Sequence, residues 1–328
     1  MPFLAESLVH TVDPFAIHLT DTLLRWYGLA YATGFLVAWG TLLWLARTRR
    51  TPLTPALVGD FITWCILGVV VGGRLGHVLL YDRELLVKFT SAFPFWGVLE
   101  IHQGGMASHG GIAGVVLASV IFARRHGLSP FALVDTAAFI TPPGLMLGRL
   151  ANWANGELPG KVLPDAMQAS PPGWSIKYPR EAMELAQDSA SFERARELAN
   201  LAYAGDRQAA IDVAALVPAR YPNNFIQATT DGPLLMLALV VVWWKPRAAG
   251  TLTGTFLVAY GVLRNVSESL REPDPDVFRL GPLTTPILIS IGMVALGSWI
   301  IWQAARSGRP LIGGIGRPVP SVPSVPPA

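Results

Sequence analysis

Arg74 and His77, His109, Arg149, and Arg264 with Glu268 are ionisable side chains set in or at the ends of apolar runs. Fixed guanidiniums hold phosphate or carboxylate through paired N–H donors, and a histidine that titrates near neutrality can accept a proton. Arg264, Glu268 and Arg271 are separated by four and then three positions, so a helix puts them on one face with the carboxylate between two guanidiniums. Gly73-Arg-Leu-Gly-His77 is echoed by Gly148-Arg-Leu-Ala-Asn152, each closing an apolar run. A glycine before each arginine is expected to let helices approach closely, with the guanidinium between them. His102-Gln-Gly-Gly-Met-Ala-Ser-His-Gly-Gly111 enters the next apolar run through four glycines, a backbone expected to kink or to approach a ligand, with His109 inside it. No cysteine or histidine pair has metal-ligand spacing, and no phosphate-binding glycine loop, dinucleotide fingerprint or serine elbow occurs, so neither a metal nor a cofactor is expected. These residue types suit an anionic lipid phosphate with a base beside it, hence transfer of a group off a phospholipid.

The elements that must position these residues follow from composition. The chain has 328 residues, of which 52% are hydrophobic and 14% charged, with mean hydropathy +0.42. Soluble proteins carry about 25% charge, so the solvent implied here is a bilayer, and a disordered or ordinary water-soluble protein is excluded. The net charge of +3 and the lack of long basic blocks give no reason to expect a nucleic-acid partner. Cys65 is the only cysteine and reads as a packing residue. Seven runs could span a bilayer, at residues 26–46, 55–81, 103–123, 127–148, 226–244, 248–266 and 280–305. Arginines and lysines gather after alternate runs (Arg47, Arg49, Arg50; Arg124, Arg125; Lys245, Arg247; Arg306, Arg309), which marks those ends as cytoplasmic. The N-terminus is then outside and the C-terminus cytoplasmic.

In that orientation Arg74, His77, His109, Arg149, Arg264 and Glu268 all fall at or near outer ends, against the usual bias of arginine. The expectation is an all-α fold of about seven transmembrane helices with a lipid-anion site on its outer face. Residues 1–24 form an external lead-in without the basic start of a cleavable signal peptide, and 25–160 hold the first four helices and the motifs. Residues 161–219 form a small extramembrane cap, in which 179–217 read as two short helices with Met183, Leu185, Phe192, Leu198 and Leu201 as apolar positions. Residues 220–306 hold the last three helices, and 307–328 a disordered Pro-rich cytoplasmic tail.

The same residues carry a family resemblance. Gly148-Arg-Leu-Ala-Asn-Trp-Ala-Asn-Gly-Glu-Leu-Pro-Gly160 resembles the signature of the prolipoprotein diacylglyceryl transferase family, departing at Trp153, where that signature has phenylalanine. Arg25-Trp-Tyr-Gly28, Gly72-Gly-Arg-Leu-Gly76, Gly104-Gly-Met-Ala-Ser-His-Gly-Gly111 and the stretch from Arg264 to Asp274 are similar to further family motifs, in the family's order. The resemblance implies a bacterial inner-membrane enzyme acting toward the outer leaflet. Such an enzyme moves the diacylglyceryl group of phosphatidylglycerol to the lipobox cysteine thiol of a prolipoprotein signal peptide, forming a thioether and releasing glycerol-1-phosphate. His109 would be the base or a proton relay, with Arg149 and Arg264 on the phosphate. Tyr27, Arg74, Asn152, Asn155, Glu157, Gly160, Glu268 and Arg271 would shape the pocket and orient the arginines. Two segments depart from the pattern. Where the family has approximately Arg-His-Pro-Ser-Gln-Leu-Tyr-Glu, this chain has Arg220-Tyr-Pro-Asn-Asn-Phe-Ile-Gln227, and the usual Gly-Gln pair of the last helix is replaced near Thr285 and Pro286. A divergent paralogue that binds phosphatidylglycerol but serves another acceptor or is inactive, and a lipid transporter, are the competing readings.

Overall fold

The computed structural model describes residues 7–13, 15–19, 22–91, 93–101, 104–272, 279–280 and 283–316. The helices are α1 (Trp26–Arg47), α2 (Val58–Leu80), α3 (Ser108–Arg125), α4 (Pro130–Ile140), α5 (Pro142–Ala154), α6 (Asp165–Gln168), α7 (Glu181–Glu184), α8 (Ser189–Tyr203), α9 (Arg207–Ala215), α10 (Asn223–Thr229), α11 (Leu235–Val242), α12 (Thr251–Glu268) and α13 (Thr285–Arg306). The chain divides into two compact units, one of Met1–Gly34, Pro142–Met236 and Ala259–Val294, the other of Phe35–Thr141, Leu237–Val258 and Ala295–Ala328.

Among the described residues, five stretches are long and apolar enough to cross a bilayer: Trp26–Arg47, Pro55–Leu80, Pro130–Ala154, Asn223–Val242 and Thr285–Arg306. The chain is therefore a mostly helical, polytopic membrane protein. The other two expected spans form α3 and α12, of 18 residues each. Their ends are too polar to meet the same standard: α3 opens on Ser108 and His109 and closes on Arg124 and Arg125, while α12 carries three threonines at its start and Arg264 to Glu268 at its end. Two spans are interrupted. α4 and α5 are separated at Thr141, which itself keeps helical angles (φ −75°, ψ −40°); Pro142 has no N–H to continue the hydrogen-bond ladder. Between α10 and α11 the chain makes a π-turn over Thr230–Leu234 that contains Pro233 and buries Asp231.

In the second unit, glycine sets the packing. Gly68, Gly72 and Gly76 recur every four residues on one face of α2 and meet Gly110 and Gly114 of α3 so closely that a Cβ on any of them would overlap backbone of the facing helix. The expectation that the glycines before Arg74 and Arg149 mediate this approach is corrected here. A Cβ on Gly73 would overlap the Met106 side chain rather than a helix backbone, and nothing lies within 4 Å of one on Gly148. Of the glycines leading to His109, Gly104 and Gly105 take positive φ (91° and 77°) and turn the chain, whereas Gly110 is a helix-contact residue. Asp135, an acid in an apolar run, accepts from Gly250 N, Thr253 N (both 2.7 Å) and Thr253 Oγ1 (2.6 Å), and so caps the start of α12. Cys65 is buried.

Residues 307–316 do not behave as a loose tail. Leu311–Ile312 forms β8 antiparallel to β5 (Arg247–Ala248), Trp243 Nε1 donates to Ile312 O (3.1 Å), and Arg50 donates to Gly314 O and Ile315 O (3.1 and 3.0 Å). The Pro-rich residues 317–328 lie outside the described part.

In the first unit, β1 (Leu8–Val9) pairs in parallel with β4 (Ile176–Lys177), and β2 (Phe15–Leu19) forms a hairpin with β3 (Thr22–Arg25). Two further short strands, β6 (Arg279–Leu280) and β7 (Leu283–Thr284), precede α13. Segment 179–217 contains the two expected helices as α8 and α9, plus the single turn α7. Its interior differs from expectation. The buried side chains are Ala182, Ala195, Ala199, Ala202, Ala209, Val213 and Val217, with Met183 and Leu198 partly buried against them, while Leu185, Phe192 and Leu201 are exposed. Small side chains at positions 195, 199 and 202 lie on one helix face and allow close helix packing, which the larger residues would prevent.

Candidate active site

Residues of α5, α10, α12 and the first turn of α1 bring most of the expected site residues together in the first unit. α5 ends in a Schellman turn: Glu157 N donates to Asn152 O (2.9 Å) and Gly156 N to Trp153 O (2.8 Å). Gly156, at φ 68°, supplies the left-handed residue that such a turn requires. The reversal returns Glu157 toward α1, where the Tyr27 hydroxyl contacts Glu157 Oε2 (2.6 Å) and Asn152 Oδ1. Asn155 also lies beside this hydroxyl. Gly160 has no room for a side chain, since a Cβ there would meet the Tyr221 carbonyl; it bridges to Arg271, and its own carbonyl accepts from Arg220 Nη1 (2.8 Å).

Arg149, on α5, pairs through Nε with Asp231 Oδ2 (2.8 Å), a carboxylate with no exposure. Arg264, on α12, approaches Glu268 Oε2 at 2.7 Å, and Arg271 approaches Glu268 Oε1 at 3.8 Å, so the carboxylate stands between the two guanidiniums as expected, but Arg271 lies beyond the end of the helix and not on one helical face with them. The Arg264–Glu268 contact is a charge pair without aligned N–H, so among the described residues Glu268 Oε2 and Arg264 Nη1 are buried atoms with no hydrogen-bond partner. Tyr260, one turn earlier on α12, interacts with both Arg149 and Arg264, and the two guanidiniums are within electrostatic range of each other. α12 ends at Glu268, before the expected stop at Pro273 and Pro275, which lie outside the described residues. Leu270 and Arg271 instead leave the helix to pair with Lys161 and Gly160. Two cationic side chains from different helices, one with a free buried donor, can hold a phosphate and stabilise charge that develops on it.

On α10, packed against α5, lie amides that sequence reading had not placed in the site. Asn223, Asn224 and Gln227 are fully buried, and with Asn155 they keep seven side-chain N and O atoms without partners, although Asn224 Nδ2 donates to Glu157 O (2.9 Å). These occupy the segment where the chain departs from the resemblance, and that departure was the signal. Asp231 and Tyr260 were the other residues missed. Asp231 stood out only as an acid in an apolar run, and nothing in spacing ties it to Arg149, 82 positions away. Arg220, retained from the family pattern, is a strap: it pairs with both oxygens of Glu181 (2.5 and 2.8 Å) and with Glu272 (3.0 Å).

Arg74 and His109 belong to the second unit. Arg74 is buried and donates to four carbonyls, of Gly97 (2.6 Å), Val98 (2.7 Å), Gly104 (2.8 Å) and Gly105 (3.1 Å). It fastens the loop that leads into α3. His109 is the second residue of α3, and its side chain lies outside the described residues.

A polytopic α-helical membrane protein with two part-buried arginines, Arg149 and Arg264, set against carboxylates is the class defined by this fold and site. A family model described as prolipoprotein diacylglyceryl transferase matches residues 14–303, and the chain belongs to that family. Similar proteins named phosphatidylglycerol--prolipoprotein diacylglyceryl transferase include those of Bdellovibrio bacteriovorus (35% identical, over 92% of this chain and 95% of that protein) and Rhodospirillum centenum (36%, over 89% and 92%). Another is from Allorhizobium ampelinum (34%, over 91% of this chain and 92% of that protein).

Proposed function

We propose that this chain is a transferase that moves the diacylglyceryl group of phosphatidylglycerol onto the lipobox cysteine thiol of prolipoproteins in the bacterial inner membrane. The observation that carries this reading is the convergence of Arg149 and Arg264 on Tyr260, with Arg264 Nη1 a buried donor that has no partner of its own. A phosphodiester between the two guanidiniums would satisfy that donor and offset the repulsion between them. In the reaction the cysteine sulfur, as thiolate, forms a bond to the glyceryl carbon. The bond from that carbon to the phosphate oxygen breaks, and glycerol-1-phosphate leaves with the electron pair. His109 takes up or relays the thiol proton, and Arg149 and Arg264 stabilise the charge gathering on the leaving phosphate. Tyr27, Asn152, Asn155, Glu157 and Gly160 form the wall beside the headgroup, with the buried amides of Asn223, Asn224 and Gln227 suited to its hydroxyls. Glu268 and Arg271 orient Arg264, and Arg74 acts on binding through the loop it holds before His109.

On this reading seven membrane helices, α3 and α12 included, hold the chemistry toward the outer leaflet, with residues 161–219 as an external cap and both the 1–24 lead-in and the N-terminus outside. Support for that orientation comes from the arginines at the opposite ends. Arg50, Arg125 and Arg306 stack on Trp44, Trp64 and Trp302, and Arg309 on Phe131, as in an interfacial belt. The test is incubation of purified protein in phosphatidylglycerol micelles with a synthetic lipobox peptide, read by mass spectrometry. A diacylglyceryl mass increment that needs both the peptide cysteine and His109 is expected. Folded protein that binds the lipid yet adds no mass would overturn the reading in favour of another acceptor, for which residues 223–227 are the place to look.

A further inference from the structure

His10 is buried on the N-terminal segment, immediately after β1, and is packed among three aromatic rings: Trp153 (centroids 5.5 Å apart), Tyr178 (5.3 Å) and Tyr203 (6.2 Å). Its Nε2 lies 2.7 Å from the Trp153 carbonyl. A carbonyl can only accept, so Nε2 carries the hydrogen, and Nδ1 is left to accept from the Tyr203 hydroxyl at 3.4 Å. The carbonyl it holds is the same one that closes the Schellman turn by accepting from Gly156 N. A Cβ on Gly156 would stand 3.3 Å from His10 Cε1, so the imidazole also backs the turn sterically. On the far side of that turn are Asn152 and Glu157, both against Tyr27. Tyr203 is the last residue of α8, and the Arg180 guanidinium stacks over its ring at 5.2 Å.

We infer that His10 is a positioning residue for the transfer reaction: the Tyr203–His10–Trp153 chain of hydrogen bonds holds the turn that presents Asn152 and Glu157, and through it segment 161–219 acts on the site. The inference rests on the transferase reading. Because His10 touches no reacting atom, its loss should lower kcat by misaligning the site while leaving KM nearly unchanged.

His10→Phe keeps the ring and loses both hydrogen bonds; kcat for the lipobox peptide should fall about tenfold, with KM altered less than about twofold. His10→Gln retains an Nε2 donor at similar reach and should recover to within about threefold of wild type. Tyr203→Phe removes the other end of the chain and should cost about threefold. Hydrogen exchange of the peptide covering residues 150–160 should quicken in His10→Phe and revert in His10→Gln, and this reads the turn whether or not transfer is observed. Wild-type kcat and exchange in His10→Phe, or a Gln variant no better than Phe at equal melting temperature, would overturn the inference. If the Phe variant does not fold, unaltered kcat and exchange in Tyr203→Phe overturn it. Inactive wild-type protein with the expected exchange pattern would count against the transferase reading alone.

Discussion

Arg149 and Arg264 have different electrostatic surroundings, but both are placed to carry charge at the site, so substitution of either is expected to cost turnover. Arg149 pairs with Asp231, whereas Arg264 shares Glu268 with Arg271. Either arginine changed to alanine should lower kcat by about a hundredfold to a thousandfold, the scale of losing one preorganised charge-stabilising group. Turnover near wild type in either variant would remove the phosphate clamp. Asp231→Ala should reduce stability as well as activity, by about 3 kcal/mol, because it strands a largely buried guanidinium; detergent-solubilised protein followed by thermal unfolding would check this. Sequence patterning could flag both arginines, since charge in an apolar run is visible at once. It could not supply their partners, because Asp231 and Tyr260 are joined to Arg149 by packing and not by periodicity.

Within elements, spacing and caps govern. The four-residue glycine period of α2 faces Gly110 and Gly114 across a backbone-to-backbone contact. Gly114→Val should therefore separate the helices, costing about 1–3 kcal/mol or more, seen as reduced accumulation of folded protein and a lower melting temperature. Gly148→Ala meets no neighbour within 4 Å and should be tolerated sterically. His10 adds a pH term. Burial, and secondarily the Arg180 charge, lowers its pKa from the ordinary 6.5. The folded state thus binds fewer protons than the unfolded chain between the lowered value and 6.5, and stability rises with pH across that window. Expected is a melting temperature that is constant above about pH 6.5 and drops below it, with the drop smaller in His10→Gln. A drop of the same size in that variant would assign the proton elsewhere.

At the scale of the whole molecule, the open quantities are span number and orientation. Single cysteines introduced at Ser189 and at Ser307, on a Cys65→Ala background, should react with a membrane-impermeant maleimide from opposite sides in intact cells, Ser189 from outside. Labelling of both from one side would reject seven spans with an external cap. Among the described residues five stretches satisfy length and apolarity outright, while α3 and α12 fall short because their ends are polar.

Membrane character, the helical fold class, the arginines of the candidate site and the family signature were all legible along the chain. Each depends on residue type within a window of a few turns, and hydropathy, charge and short motifs are local quantities. Contacts between distant segments were not legible, and they decide how the site works. The Asp231 partner of Arg149, the pairing of Gly160 with Arg271 and the Arg220 strap to Glu181 and Glu272 all join residues tens of positions apart. The alanine-lined interior of segment 161–219 and the anchored residues 307–316 belong with them, since burial there follows from which faces meet. A side chain's neighbours across the fold are set by packing geometry, which no one-dimensional pattern contains.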